Sequence, residues 1–168
     1  SHSCTYGALG AFATGLGSTD LAGALALGRT WFKVPESIKV IYEGALGPWI
    51  MGKDMVLRLI GDIGVDGARY QALEIGGPAL AKVGVSDRLT IANMAIEAGA
   101  KNGIMEADEV TLEFVNGRCP KEPRVFKADG DARYTRTVTV NLDGMGPQVA
   151  APYSPGNVKP VEEYDDVR

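Results

Sequence analysis

The stretch Ile38-Lys39-Val40-Ile41-Tyr42-Glu43 decides the fold class. Ile38, Val40 and Tyr42 alternate with Lys39, Ile41 and Glu43, the period of two that puts successive side chains on opposite faces of a strand. Downstream the period lengthens: Met55, Val56, Leu59, Ile60 and Ile63 recur at helical spacing from about Lys53 to Ile63. A short apolar run, Ala72 to Ile75, follows and ends at Gly76-Gly77-Pro78, giving a βαβ outline. A further helix is expected from an N-cap at Ser86, with Asp87 in its first turn, through Leu89, Ala92, Met94 and Ile96 to a stop at Gly99. Gly103-Ile104-Met105 reads as a brief strand and Asp108 to Val115 as a helix. Strands and helices alternating through short Gly connections predict an α/β layered domain, α/β/α in architecture, with a mostly parallel sheet.

Upstream, residues 1–30 are rich in Gly, Ala and Leu, and read as two short, tightly buried helices, the second capped by Ser18 or Thr19 and running through Leu21, Leu25 and Leu27 to Gly28. A domain boundary is expected near Pro35. Beyond Gly117 the pattern loosens and then recovers from Tyr134 to Leu142, where Arg136, Val138, Val140 and Leu142 share one face and Thr135, Thr137 and Thr139 the other. Residues 146–160 are Pro-rich and extended, and Glu162, Glu163, Asp165 and Asp166 form an acidic end. No repeat or low-complexity tract occurs.

The 168 residues are 45% hydrophobic and 23% charged, enough for one globular domain or one plus part of another. A net charge of −4 and the lack of any basic run argue against a nucleic-acid partner, while leaving small anions open. No apolar run reaches the ~20 residues that span a bilayer, and no charged-then-apolar leader opens the chain, so neither membrane nor secretion is indicated. Two cysteines, Cys4 and Cys119, are too few and too far apart for a disulfide framework or a metal set, and a reducing cytoplasm is the simpler setting. The abrupt start at Ser1, without an initiator Met, suggests a fragment.

Chemistry has few places to sit. His2 is the only histidine, so any imidazole acid or base is His2, although a residue so near the start can equally be a disordered tag remnant. Asn93 and Glu97, four apart with Thr90 extending the stripe, are either a solvated helix face or the lining of a cleft. Gly15 to Thr19 ahead of a helix could offer backbone N–H groups to an anion, but with no P-loop Lys and no GxGxxG spacing, close helix packing is the better use of these glycines. Each cysteine reads as a buried or incidental thiol.

The run Ser1-His2-Ser3-Cys4-Thr5-Tyr6-Gly7-Ala8-Leu9-Gly10 through Gly15-Leu16-Gly17-Ser18-Thr19-Asp20 resembles the signature of the large subunit of 3-isopropylmalate dehydratase and homoaconitase, in the aconitase superfamily. The likeness continues through Trp31-Phe32-Lys33-Val34-Pro35-Glu36, Gly52-Lys53-Asp54, Asn93 to Ala100, and the segment from Pro147 to Pro160. It implies residues 1–35 as the end of a first α/β/α domain, 36–128 as a second, and 129–168 as a strand and link toward a third. It further implies a hydro-lyase that dehydrates and rehydrates a hydroxy-polycarboxylic acid at a 4Fe-4S cluster acting as Lewis acid. His2 would then pair with Glu97, Asn93 would donate into the cluster's environment, and Ser1 would contact substrate. In this family the cluster cysteines lie in the third domain, so neither Cys4 nor Cys119 takes a ligand position and the chain alone would be inactive. The rest of the large subunit and a small swivelling subunit would complete the site. A stand-alone α/β module that binds a small anion or serves assembly is the alternative.

Overall fold

The computed structural model describes residues 2–164. Its centre is a four-stranded, wholly parallel sheet of β1 (Ser37–Glu43), β2 (Ala72–Gly76), β3 (Asn102–Met105) and β4 (Arg136–Asn141), in the order β3-β2-β1-β4. The helices are α1 (Ser18–Leu27), α2 (Gly52–Ile63), α3 (Val85–Asn93) and α4 (Glu109–Val115). A separate antiparallel pair, β5 (Gln148–Ala150) and β6 (Val158–Pro160), packs against α2.

The alternation in β1 is realised as expected: Ile38, Val40 and Tyr42 are buried while Lys39 and Ile41 are only partly so. In register with them, Leu73 and Ile75 of β2 face the same side, where Met55, Val56, Leu59 and Ile60 of α2 and Ile91 of α3 close the core. Fully burying each such side chain contributes about 1.5–3 kcal/mol. The Tyr42 hydroxyl, entirely buried, donates to the Met55 carbonyl at 3.1 Å and so avoids an unpaired polar group beneath α2. Its burial pushes the phenol far above its usual range, which keeps that proton in place. On the other face of the sheet, Lys39 and Tyr134 both bind the Glu74 carboxylate, at 2.5 Å from Nζ and 2.9 Å from the hydroxyl.

Three expectations are corrected. The chain's first helix is a 3-10 helix, Ser3–Leu9, and α1 buries no residue at all; Leu25 is 78% exposed. Small residues permit close approach without supplying a partner, and a Cβ placed on Gly15, Gly23 or Gly28 would meet nothing within 4 Å. Neither Ser18 nor Thr19 caps α1, because the N-cap position falls to Gly17. Finally, α3 starts from Gly84 rather than Ser86, and at Asn93 it gives way to a 3-10 turn, Met94–Ala98, before Gly99 ends it with a left-handed φ of 79°.

The position of α3 rests on Arg88, which is only 1% exposed. All five of its N–H donors are used. Nε donates to Val83 O at 2.9 Å, and Nη2 to Leu80 O at 2.7 Å and Asp108 Oδ2 at 2.7 Å. Nη1 donates to Asp108 Oδ1 at 2.6 Å and Thr111 Oγ1 at 3.2 Å. Asp108 in turn caps α4 by accepting from Thr111 N. The Arg88 guanidinium, with the Thr111 backbone N–H adding to it, holds the Asp108 carboxyl below the usual carboxylate range despite partial burial.

Replacing Arg88 by Ala orphans two carbonyls and leaves a cavity, and is expected to cost at least ~3 kcal/mol in urea unfolding. The folded-state Asp108 pKa lies below the unfolded value of about 3.9, so its stabilisation is complete above that pH and fades as pH falls through the depressed value. In Asp108→Asn the loss of stability on acidification should therefore be shallower than in the parent. Equal slopes below pH ~4 would contradict the pairing.

Candidate active site

The N-terminal 3-10 helix seats on α3 and on the edge strand β3. It can do so because residue 7 is glycine: a Cβ there would lie 1.8 Å from the Gly103 carbonyl oxygen. Gly103 is equally constrained from the other side, where a Cβ would come within 2.9 Å of the Ala95 side chain. Two glycines thus let the turn beginning at His2 lie directly beside the helix that carries Asn93.

Successive residues of that turn grip Asn93. The buried Cys4 thiol donates to the Asn93 carbonyl at 3.3 Å, and the Asn93 side-chain nitrogen donates to Thr5 Oγ1 at 2.9 Å. Thr5 in turn donates twice to the His2 carbonyl, from its hydroxyl at 2.6 Å and from its backbone N–H at 3.1 Å. Burial pushes the Cys4 thiol up, and the nearby Glu97 charge adds to the rise. Glu97 follows four residues beyond Asn93, within the 3-10 turn.

Glu97 also lines a cleft of about 480 Å³ with Lys53, Leu57, Met94, Gln148, Val149, Ala150 and Pro155. A 3-10 turn has about 3.0 residues per turn instead of 3.6, which rotates Glu97 by roughly a third of a turn from Asn93. Asn93 therefore faces the N-terminal turn while Glu97 opens into the cleft, and the two do not form one α-helical stripe. The cleft's far wall is held in place by Asp54, which accepts from Gln148 N at 2.8 Å and, with its other oxygen, from Met51 N at the head of α2.

The remaining candidates separate. Ser1 lies outside the described residues. His2 is exposed, and no hydrogen bond or ion pair among the described residues joins its ring to Glu97. Thr90 bonds back to Ser86 O at 3.1 Å and takes no part. The Gly15–Thr19 loop is exposed, and Asp20 Oδ2 stands 3.3 Å from a Cβ built on Gly17, so a carboxylate already occupies the end of α1 that an anion would need. Thr5, Lys53 and Gln148 escaped the sequence reading. A hydroxyl three residues after His2 was the one signal for Thr5, and nothing local marks the other two.

From residue 1 to 167 the chain matches the Aconitase family (aconitate hydratase). The chain belongs to that family. It is 52% identical over its full length to a 3-isopropylmalate dehydratase large subunit of Moorella thermoacetica, and 53% identical over 97% of its length to a 3-isopropylmalate dehydratase large subunit 1 of Pyrococcus furiosus. A large subunit of Helicobacter hepaticus is 50% identical, again over the whole chain. The chain spans about 40% of the length of these relatives. Among the described residues no helix is long and apolar enough to cross a membrane.

The two thiols make a direct test of this packing. Cys4 is buried and Cys119 exposed, so under native conditions iodoacetamide should label Cys119 and spare Cys4 until the chain is unfolded, as read by peptide mass spectrometry. Comparable native labelling of both would contradict the seating of the N-terminal turn.

Proposed function

We propose that this chain is part of the large subunit of a hydro-lyase that isomerises 2- and 3-isopropylmalate by dehydration and rehydration, in the cytoplasm, as in leucine biosynthesis. Homocitrate-type acids are the related substrate class. The observation that carries the reading is the bonding of the N-terminal turn to Asn93, four residues ahead of Glu97. His2 is linked through Thr5 to Asn93, and Cys4 both bonds Asn93 and lies within the electrostatic reach of Glu97. Glu97 itself lines a cleft together with Lys53 and Gln148, so a carboxylate, a lysine and an amide share one opening.

In this reading His2 and Glu97 are the acid–base pair. Glu97 orients the imidazole when substrate and the rest of the enzyme close the site, Asn93 fixes the polar environment beside them, and Ser1 contacts substrate. The described residues do not fit a 4Fe-4S cluster. Cys4 is buried with its proton committed to Asn93 O, Cys119 is exposed on another segment, and no group of three His, Cys, Asp or Glu among the described residues could hold a metal ion. The cluster that the family resemblance implies would be held by the remainder of the large subunit, with a small swivelling subunit completing the substrate pocket. The proposed partition into 1–35, 36–128 and 129–168 has its sheet extended into the last segment by β4.

Glu97→Gln in the complete two-subunit enzyme should lower kcat by at least ~10²-fold, the scale of losing an acid–base partner, with the fold intact by circular dichroism. Wild-type turnover in that variant would remove Glu97 from the mechanism. Turnover by the isolated chain would overturn the proposal that the site is completed elsewhere.

A further inference from the structure

The geometry points to Thr5 as a positioning residue that sets both the seating of the His2 turn and the direction of the Asn93 amide; this rests on the reading of His2, Asn93 and Glu97 given above. A threonine hydroxyl has one proton and can accept through its lone pairs. The His2 carbonyl can only accept, so at 2.6 Å the Thr5 proton is committed to it. Thr5 Oγ1 can then only accept from Asn93, and at 2.9 Å this obliges the amide to turn its NH2 end toward Thr5. The Asn93 side-chain oxygen, Oδ1, is thereby directed away from the Thr5 hydroxyl, and one N–H is left for another acceptor. Asn93 is held at its backbone as well, by the Cys4 thiol. Thr5 fixes the rotation of a side chain 88 positions away, while Cys4 holds the backbone that carries it.

The chain of donors has a single direction, from Asn93 to Thr5 to His2. Neither end can be altered without the other responding. Asn93→Asp would set an acceptor against an acceptor, and Thr5 could bond the new carboxylate only by releasing the His2 carbonyl. Thr5→Val keeps the shape of the side chain and removes both hydroxyl bonds, leaving the backbone N–H bond to the His2 carbonyl in place. Thr5→Ser keeps both.

The test uses the complete large subunit assembled with its small subunit. Thr5→Val, Thr5→Ser, Asn93→Ala and the Thr5→Val/Asn93→Ala double variant are compared for kcat, for KM, and for the calorimetric affinity of tricarballylate as a non-reacting polycarboxylate. Thr5→Val should lower kcat ~10-fold or more, the cost of misplacing a site group. Thr5→Ser should restore it, and the double variant should be no worse than Asn93→Ala alone, since residues acting through one another are not additive. Tricarballylate affinity should fall in Thr5→Val and recover in Thr5→Ser. Wild-type kcat and affinity in Thr5→Val, or additive losses in the double variant, would overturn the role of Thr5 while leaving the site reading intact. Wild-type behaviour of both Asn93→Ala and Glu97→Gln would instead overturn the site reading on which it rests.

Discussion

A guanidinium with every donor used is the fixed point of this molecule. Arg88 is taken out of water only because five acceptor atoms from two segments meet it: two carbonyls of the turn before α3, and the carboxylate of Asp108 and hydroxyl of Thr111 at the head of α4. A lysine could not replace it, since three donors on a point charge cannot span that arrangement. The pair fixes α3 against the head of α4, and the 3-10 turn that follows α3 carries Glu97 into the lining of the cleft.

The second constraint is steric. The N-terminal turn approaches β3 so closely that only glycine is tolerated at position 7, and the opposite side of Gly103 is filled by Ala95 of the 3-10 turn and Ile75 of β2. Packing of this density leaves little freedom to rotate or slide. Cys4 and Thr5 then convert proximity into a defined orientation by bonding the backbone and side chain of one residue, Asn93. The site is thus assembled from a segment at the chain's start and a helix end some ninety residues later, with no secondary-structure element in common.

Much of the scaffold was legible because its physics is local. The alternation in β1 and the helical spacing in α2 each bury one face, and both elements formed where the pattern placed them. The candidate residues His2, Asn93 and Glu97 also stood out, since the chain has one histidine and few polar groups within apolar helix. What was not legible depended on distant partners. Gly7 and Gly15 look alike in sequence, yet one meets a carbonyl and the other open space. The change from 3.6 to about 3.0 residues per turn at Asn93 spans too few positions to alter a periodicity, and it decides that Asn93 and Glu97 face different ways. Gln148 and Pro155 come from a loosely patterned stretch that docks on α2 through Asp54 and the β5–β6 pair.

The measurement that bears most directly on the account is a structure of the complete two-subunit enzyme with a bound hydroxy-polycarboxylate. In that structure the N-terminal turn is expected to stay seated on α3 and β3, with His2 and Glu97 within hydrogen-bonding reach of each other and of the substrate, and Asn93 still donating to Thr5. A substrate bound out of reach of all three residues, with the 3-10 turn undisturbed, would contradict it.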